Sequence, residues 1–342
     1  MHQKRDESNR ISRLSSESAQ AYLAEQKGPA YSQYRKNWAV CGREQIGLEY
    51  PLQLNVELTA SCNLRCKMCY RNYDMDVRHG CLSIAEIRLL ADQFSELSIP
   101  SLWLSGGEPL FHPQIREILR IFSATNPLDF WMVTNGLLLT EELAREIIAS
   151  KLTWLSISID AASPDTYMKI RGGDYEKLLQ NIDAFLRIRN EAGSVLPFLR
   201  VSFIRMPENC KEETAFKQQW AEKADIIDIQ TLADYHDLDQ LSEEDVLRSD
   251  YICTAPFTLI SVLPNGDIIP CCNGFYGEKS CFNIRNITLR NYWKSSYHKA
   301  FAASVKQKKY CAECKKCIKS FLPHNNQKTT GRMCQENGHS GF

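Results

Sequence analysis

Three cysteines at positions 62, 66 and 69, spaced Cys-x3-Cys-x2-Cys, are the residues here best suited to do chemistry. Three thiolates this close, with no fourth ligand nearby, can hold a [4Fe–4S] cluster and leave one iron open to a small molecule. The alternatives are a zinc site or three incidental cysteines, although zinc sites favour two separated Cys-x2-Cys pairs. A second group lies at the back: Cys253, Cys271, Cys272, Cys281, Cys311, Cys314, Cys317 and Cys334. A predicted hairpin brings Cys253 and Cys271 together, and the tail run Cys311-x2-Cys314-x2-Cys317 can supply two more thiolates. Four such ligands make a fully ligated cluster, and a structural zinc ribbon is the other reading of this spacing. Cys41, Cys81 and Cys210 stand apart.

The 14 cysteines sit in a chain of 342 residues whose first forty carry no apolar signal-like stretch, so a disulfide framework is not expected. A reducing, cytoplasmic compartment is. The 41 basic side chains balance 41 acidic ones, which argues against a general nucleic-acid or membrane binder. No run of about 18 apolar residues offers a membrane span. The isolated histidines His79, His112, His236 and His298 read as surface or capping groups. Lys306, Lys308, Lys309, Lys315 and Lys316 read as a solvated basic face.

The elements that must position the front cysteines alternate. Strands are predicted over 53–60, 101–107, 130–136, 153–160, 197–205 and 224–233. Helices are predicted over 83–97, 112–124, 140–150, 164–170, 174–190 and 211–223, with a capping box at Ser83 and Glu86 and a cap at Thr140. Such alternation dictates parallel strands with right-handed crossovers, and six units fit an open, partial (β/α) barrel as well as a doubly wound sheet. The three cysteines follow the first strand directly, at the end where parallel α/β folds bind ligands. Residues 1–49 read as a helical extension, with helices near 16–26 and 31–38. The barrel is expected over 50–234 and an acidic linker or lid over 235–252. A small domain over 253–342 is predicted to hold a hairpin about Pro264-Asn265-Gly266-Asp267 and a helix over 287–305.

The run ELTASCNLRCKMCYRNY (57–73) resembles the signature of the radical S-adenosylmethionine (SAM) enzymes. SGGEP (105–109) looks like that family's SAM-binding glycine motif, and SISID (156–160) with KIRGG (169–173) resembles its later elements. The resemblance implies an α/β fold, a partial (β/α)6 TIM-like barrel with cluster and SAM at its carboxyl-end mouth. It implies that Cys62, Cys66 and Cys69 ligate three irons and that SAM chelates the fourth. Gly106, Gly107 and Glu108 would hold the methionyl end, Ser158 the ribose, Arg171 the methionyl carboxylate, and Tyr70 would lie near adenine.

The segments 253–272, 281–303 and 311–317 resemble the SPASM/Twitch extension of many such enzymes. The full pattern's Cys-x2-Cys-x5-Cys-x3-Cys run is missing. The resemblance therefore implies one auxiliary [4Fe–4S] cluster on Cys253, Cys271, Cys311 and Cys314, with Cys317 and Cys272 as substitutes. A second cluster on Cys281, Cys317 and Cys334 stays open. The implied activity is reductive cleavage of SAM to a 5′-deoxyadenosyl radical, fed by a flavodoxin- or ferredoxin-type donor. That radical would take hydrogen from a sugar- or aminocyclitol-like molecule or a short peptide. Oxidation through the auxiliary cluster would give a dehydrogenase; hydrogen returned by Cys210, Cys281 or Cys334 would give an epimerase. A peptide maturase usually adds a leader-binding domain, for which residues 1–49 are short, and a non-enzymatic iron–sulfur role is the remaining alternative.

Overall fold

Short strands joined by helices with apolar stripes bury both only if the strands lie side by side with helices outside. The computed structural model describes residues 16–69, 71, 79–233, 238, 241–271 and 281–322. Tyr70, Cys272, Cys334, His236 and part of the acidic stretch lie outside the described residues. Helices α1 (Ser16–Lys27) and α2 (Pro29–Glu44) come first, then β1 (Gln53–Glu57), α3 (Ile84–Glu96), β2 (Ser101–Ser105), α4 (Ile115–Ala124) and β3 (Asp129–Thr134). They are followed by α5 (Glu141–Ala149), β4 (Trp154–Ser158), α6 (Pro164–Arg171), α7 (Tyr175–Glu191), β5 (Phe198–Arg205), α8 (Glu213–Trp220) and β6 (Ile226–Thr231).

These six strands pair in parallel in the order β6-β5-β4-β3-β2-β1. A doubly wound sheet reverses its strand order at a switch point. This order never reverses, so the sheet is the partial barrel. The predicted helix over 112–124 starts later, at Ile115, because Pro109–Phe111 form a 3-10 turn capped by the Glu108 side chain.

The rear segment holds the expected hairpin, and that hairpin joins the barrel sheet. It contains α9 (Glu243–Arg248), α10 (Ala255–Thr258), β7 (Leu259–Val262) and β8 (Ile268–Ile269). Strand β7 pairs in parallel with β1, and β8 folds back antiparallel on β7, making one eight-stranded sheet. Pairing with β7 covers what would otherwise be the exposed edge of β1. The single helix predicted over 287–305 is two, α11 (Leu289–Lys294) and α12 (Ser296–Lys306), because Ser295 turns extended and caps the second through its hydroxyl. Helix α13 (Ala312–Lys319) closes the described chain.

The barrel strands have two unlike sides. Leu102, Leu104, Phe130, Met132, Leu155, Ile157, Leu199 and Val201 pack with the outer helices into one core. The opposite side faces the lumen, and there Trp103, Ser105, Trp131, Val133, Ser158 and Arg200 keep partial exposure. Across its floor Trp103, Trp131 and Trp154 stack at 5.1 and 4.7 Å, and Phe198 follows at 5.1 Å. Helices α1 and α2 close the barrel beneath this ladder: Ala19, Leu23, Tyr31 and Tyr34 bury against Leu52, Trp154, Phe198 and Ile226. The N-terminal extension is thus the plug of the amino-terminal end.

His298 on α12 is buried, its Nε2 3.0 Å from Pro256 O and its ring 4.4 Å from Trp293. Burial holds its pKa down to about 4. An unfolded histidine titrates near 6.5, so between that pH and about 4 the unfolded chain binds a proton that the folded chain refuses. Stability should therefore fall as pH drops through this window, by up to about 3 kcal/mol from this group. Thermal melts of the metal-free protein at pH 7 and pH 4.5 should show a smaller acid loss in His298→Gln than in wild type; equal losses would refute the assignment.

Candidate metal centre at the carboxyl end of the barrel

After β1 the chain runs into the cysteine loop, which has little hydrogen bonding of its own. Cys69 N meets Cys66 O at 3.0 Å, and Leu64 N donates to Cys62 Sγ at 3.5 Å. Its neighbours hold it instead. On one side the glycine loop prolongs the β1–β2 ladder: Leu58 N to Ser105 O at 2.9 Å, Gly107 N to Thr59 O at 2.8 Å, Glu108 N to Ser61 O at 2.9 Å. Gly106 sits at φ +125°, where a Cβ would stand 2.8 Å from Thr59 O, and a Cβ on Gly107 would run into the Ser61 carbonyl. The close approach that these glycines permit is to the cysteine loop itself. On the other side Lys67 N donates to Ile170 O, at the last turn of α6, at 2.8 Å.

Glu108 is 1% exposed. Its Oε1 accepts from Leu110 N at 3.0 Å and from Thr134 Oγ1 at 2.6 Å, and its Oε2 accepts from Asn135 N at 2.7 Å. Burial pushes its carboxyl up, and these donors pull it back. A carboxylate offers roughly four acceptor positions. Three are taken by protein and bracket the glycine loop to the end of β3, which leaves one position toward the expected SAM ammonium.

Arg171 ends α6 and is buried. Its Nη1 donates to Cys66 Sγ at 3.6 Å and its Nη2 pairs with Asp160. Burial works to lower its pKa, but the Asp160 carboxylate more than offsets that and holds the guanidinium charged. Asp160 takes a left-handed φ of 63° at the end of β4, which aspartate tolerates. Its Oδ1 accepts from Ile204 N at 2.7 Å, and buried Asn209 donates to its carbonyl at 2.9 Å. The guanidinium expected at the methionyl carboxylate is thus engaged with Asp160 and Cys66. Ser158 lies half-buried at the end of β4, level with Ser202.

Whether these residues suit a cluster is tested by the donors around sulfur. Leu64 N and Asn135 Nδ2, the latter at 4.0 Å, point to Cys62, and Arg171 points to Cys66. Such donors stabilise iron-bound thiolates. Burial pushes the Cys62 and Cys66 thiols up, so metal uptake would release protons. Among the described residues no three His, Cys, Asp or Glu side chains converge to hold a single metal ion. Thiolates that each bind a different iron stand farther apart than ligands sharing one ion. The donors around Cys62 and Cys66 fit iron-bound thiolates.

At the rear, Cys311 is the N-cap of α13 and Cys314 lies in its first turn. The hydrogen bond between them pulls Cys311 down to about 7 and pushes Cys314 up, with Cys271 and Cys253 close enough to push it further. Cys253 and Cys314 flank the same small core of Val246, Phe257, Val305, Tyr310 and Ile318. The structure thus brings Cys253, Cys271, Cys311 and Cys314 into one neighbourhood. Cys317 is half-buried one turn along α13, and Cys281 is exposed. Cys210 lies beyond β5 with its Sγ 3.7 Å from Pro207 O. Because β7 runs parallel to β1 and β8 returns, Cys253 and Cys271 lie level with the amino end of β1, opposite Cys62.

Sequence reasoning gave no role to Asp160, Asn209, Asn135 or Tyr167. Asp160 had a signal, since it closes the SISID motif two residues after Ser158 and eleven before Arg171.

The profile of the radical SAM superfamily matches residues 56–199, and that of the SPASM iron–sulfur cluster-binding domain matches 253–318. The chain carries a radical SAM domain and, behind its barrel, a SPASM-type domain. SAM, a [4Fe–4S] cluster and auxiliary iron–sulfur binding come with these two domains. An AdoMet-dependent heme synthase of Methanosarcina barkeri is 38% identical over 129 residues, 37% of each chain. A probable GTP 3′,8-cyclase of Methanocaldococcus jannaschii is 29% identical over 160 residues, 46% of this chain and 51% of that one. The chain thus spans between about a third and a half of the length of these relatives. Among solved structures, Streptococcus suis SuiB bound to S-adenosylmethionine aligns with a TM-score of 0.59 at 16% identity, over 84% of this chain and 76% of that one. BtrN in complex with AdoMet and 2-DOIA aligns with a TM-score of 0.53 at 17% identity, over 79% and 93%. No helix among the described residues is long and apolar enough to cross a membrane.

Replacing Glu108 with Ala strands the Thr134, Asn135 and Leu110 donors, at a cost on the order of 3 kcal/mol. The metal-free variant should therefore melt well below wild type, as followed by circular dichroism. A carboxylate that served only a ligand would leave the metal-free melt unchanged.

Proposed function

We propose that this radical SAM enzyme abstracts hydrogen from a C–H bond of a polar small molecule or short peptide seated in the barrel lumen, and that the reaction ends in oxidation. The carrying observation is the lumen face, where Trp103, Ser105, Trp131, Val133, Ser158 and Arg200 keep partial exposure above the Trp103–Trp131 floor. Its wall is polar: Arg200 pairs with Asp228 and donates to Ser156 Oγ at 2.7 Å, and Gln230 donates to Asp228 at 2.6 Å. Such a wall suits a substrate rich in hydroxyl, amine or peptide groups. BtrN with 2-DOIA and SuiB with its precursor peptide SuiA have similar folds, but at their identities they share fold alone, so the choice of substrate class rests on the wall.

Cys62, Cys66 and Cys69 would hold the barrel cluster, and Ser158, Gly106 and Gly107 border the space beside it. When bound, cluster and SAM supply one-electron chemistry that yields a 5′-deoxyadenosyl radical able to take hydrogen from a C–H bond. The chain's part is orientation and exclusion of water. Arg171, Leu64 N and Asn135 stabilise thiolate charge, and the ladder with α1–α2 seals the far end of the lumen. Cys253, Cys271, Cys311 and Cys314 would hold the auxiliary cluster at that far end. An electron leaving the substrate has its acceptor there. A flavodoxin- or ferredoxin-type protein of the cytoplasm would reduce the barrel cluster.

Anaerobically reconstituted wild type should hold about eight irons in two clusters and, once reduced, form 5′-deoxyadenosine from SAM. Cys66→Ala should hold about four and form none; Cys314→Ala should also hold about four yet keep cleaving SAM. A folded Cys66→Ala protein that still cleaves SAM would sink the assignment of the front cysteines. Thermal melts of both variants serve as the folding control, since metal binding in a small domain contributes folding energy.

A further inference from the structure

Tyr167 lies in the middle of α6 and is 0% exposed. Its hydroxyl makes no hydrogen bond among the described residues. A buried hydroxyl without a partner is costly, and native structures keep few of them without a reason. The ring itself is well placed: it packs at 5.3 Å against Tyr175, and a Cβ on Gly173 would come within 3.1 Å of its Cε1. Packing therefore explains the ring and leaves the oxygen unexplained.

The surroundings of that oxygen are specific. Tyr167 precedes Arg171 by four residues, so both side chains leave the same face of α6. Arg171 reaches Cys66 Sγ, and the helix end is fastened to the cysteine loop by Lys67 N on Ile170 O. The phenol lies in electrostatic reach of Arg171, Cys66, Asp160 and Glu108. Arg171 Nε is likewise buried with no hydrogen bond among the described residues. One helix face thus presents two unspent donors, one of them on the side chain that reaches Cys66.

We propose that Tyr167 donates its phenolic hydrogen to sulfur at the Cys66 corner of the barrel cluster and, together with Arg171, sets the reduction potential of that cluster. The inference rests on the reading that Cys62, Cys66 and Cys69 hold this cluster. Reduction adds negative charge, which spreads onto the sulfurs, so a donor aimed at sulfur favours the reduced state and raises the potential. Asp160 keeps the neighbouring guanidinium in place, and Ile204 N and Asn209 keep Asp160 in place. Tyr167 acts through the cluster and is a tuning residue, with no contact to substrate required of it.

The test is Tyr167→Phe, which keeps the ring and deletes one oxygen. In the metal-free state the hydroxyl is a burden, so the variant should melt no lower than wild type. After anaerobic reconstitution the order should reverse, because only wild type gains the new hydrogen bond. A redox titration followed by electron paramagnetic resonance should give a lower midpoint for the variant, read on the cluster whose signal shifts when SAM is added. The expected loss is about tenfold in the equilibrium constant for reduction, or about 59 mV for a one-electron couple. Titrating before SAM addition separates tuning from SAM binding. An unmoved midpoint at full iron content, or a metal-free variant that melts lower, would overturn the proposal while leaving the cysteine assignment standing. A wild type that forms no SAM-responsive cluster would overturn the cysteine assignment and the proposal with it.

Discussion

The site depends on how a loop with few hydrogen bonds of its own among the described residues is held still by its neighbours. Residues 61–69 carry three cysteines, and the chain there is fixed by others: by the glycine loop through Thr59 and Ser61, and by α6 through Lys67 N on Ile170 O. The glycine clamp tolerates no side chain at its contact. Gly106 and Gly107 touch the backbone that leads to Cys62, and Gly173 leaves room for Tyr167, Leu64 and Leu137. A loop left to itself would spend conformational entropy of order 1–2 kcal/mol per residue on ordering when metal arrived. Clamped beforehand, it meets that cost during folding of the barrel.

The clamps depend in turn on buried charge. Glu108 and Asp160 are both almost fully buried, and each is held by hydrogen bonds from strand ends: Thr134 and Asn135 for the first, Ile204 for the second. Burying an ion costs several kcal/mol unless it is paired and hydrogen-bonded. Apolar residues would stabilise such positions more simply, so the charges are better understood as geometric devices. Glu108 fixes the distance between the ends of β2 and β3. Asp160, turned by its left-handed φ, fixes the direction of Arg171 and hence the donor that meets Cys66.

What could be read from the sequence followed from the range of the interactions. Strand–helix alternation, the Ser83 capping box and the cysteine spacing are local, and each reappears at its expected place within a few residues. The pairing of β7 with β1 joins residues about two hundred apart, and nothing in the local pattern of 258–272 names its neighbour. The plug made by α1 and α2 was hidden for a similar reason: both helices are polar on average, and their buried residues match a barrel end assembled from β1, β4, β5 and β6. At the site, the identity of Glu108 was legible and its surroundings were not. An acidic residue after two glycines points to a ligand-facing carboxylate, whereas three protein donors converge on it only once β3 is in place. Tyr167 in an amphipathic helix reads as core, and core is what its ring is.

The topology also constrains what the rear cysteines can do. Cys62 follows the carboxyl end of β1, while Cys253 precedes and Cys271 follows a hairpin whose open end lies at the amino end of β1. A five-residue strand is about 16 Å long, so the two cysteine groups stand at opposite ends of the sheet with the lumen alongside. A rear cluster held there would stand roughly a strand's length from the front site, so its proposed part is electron transfer and not contact with SAM. Passing an electron requires no contact, and the Trp103–Trp131–Trp154 ladder crosses the floor between the lumen and the plug. The hairpin turn provides the mechanical link between the ends: a Cβ on Gly80, on the way out of the cysteine loop, would meet Pro264 O at 2.9 Å. The segment that ends at Cys271 is therefore pressed at its far tip against the strand that emerges from the front site. Separation with a shared framework is compatible with the proposed oxidation, in which an electron leaves the substrate at one end and is taken up at the other.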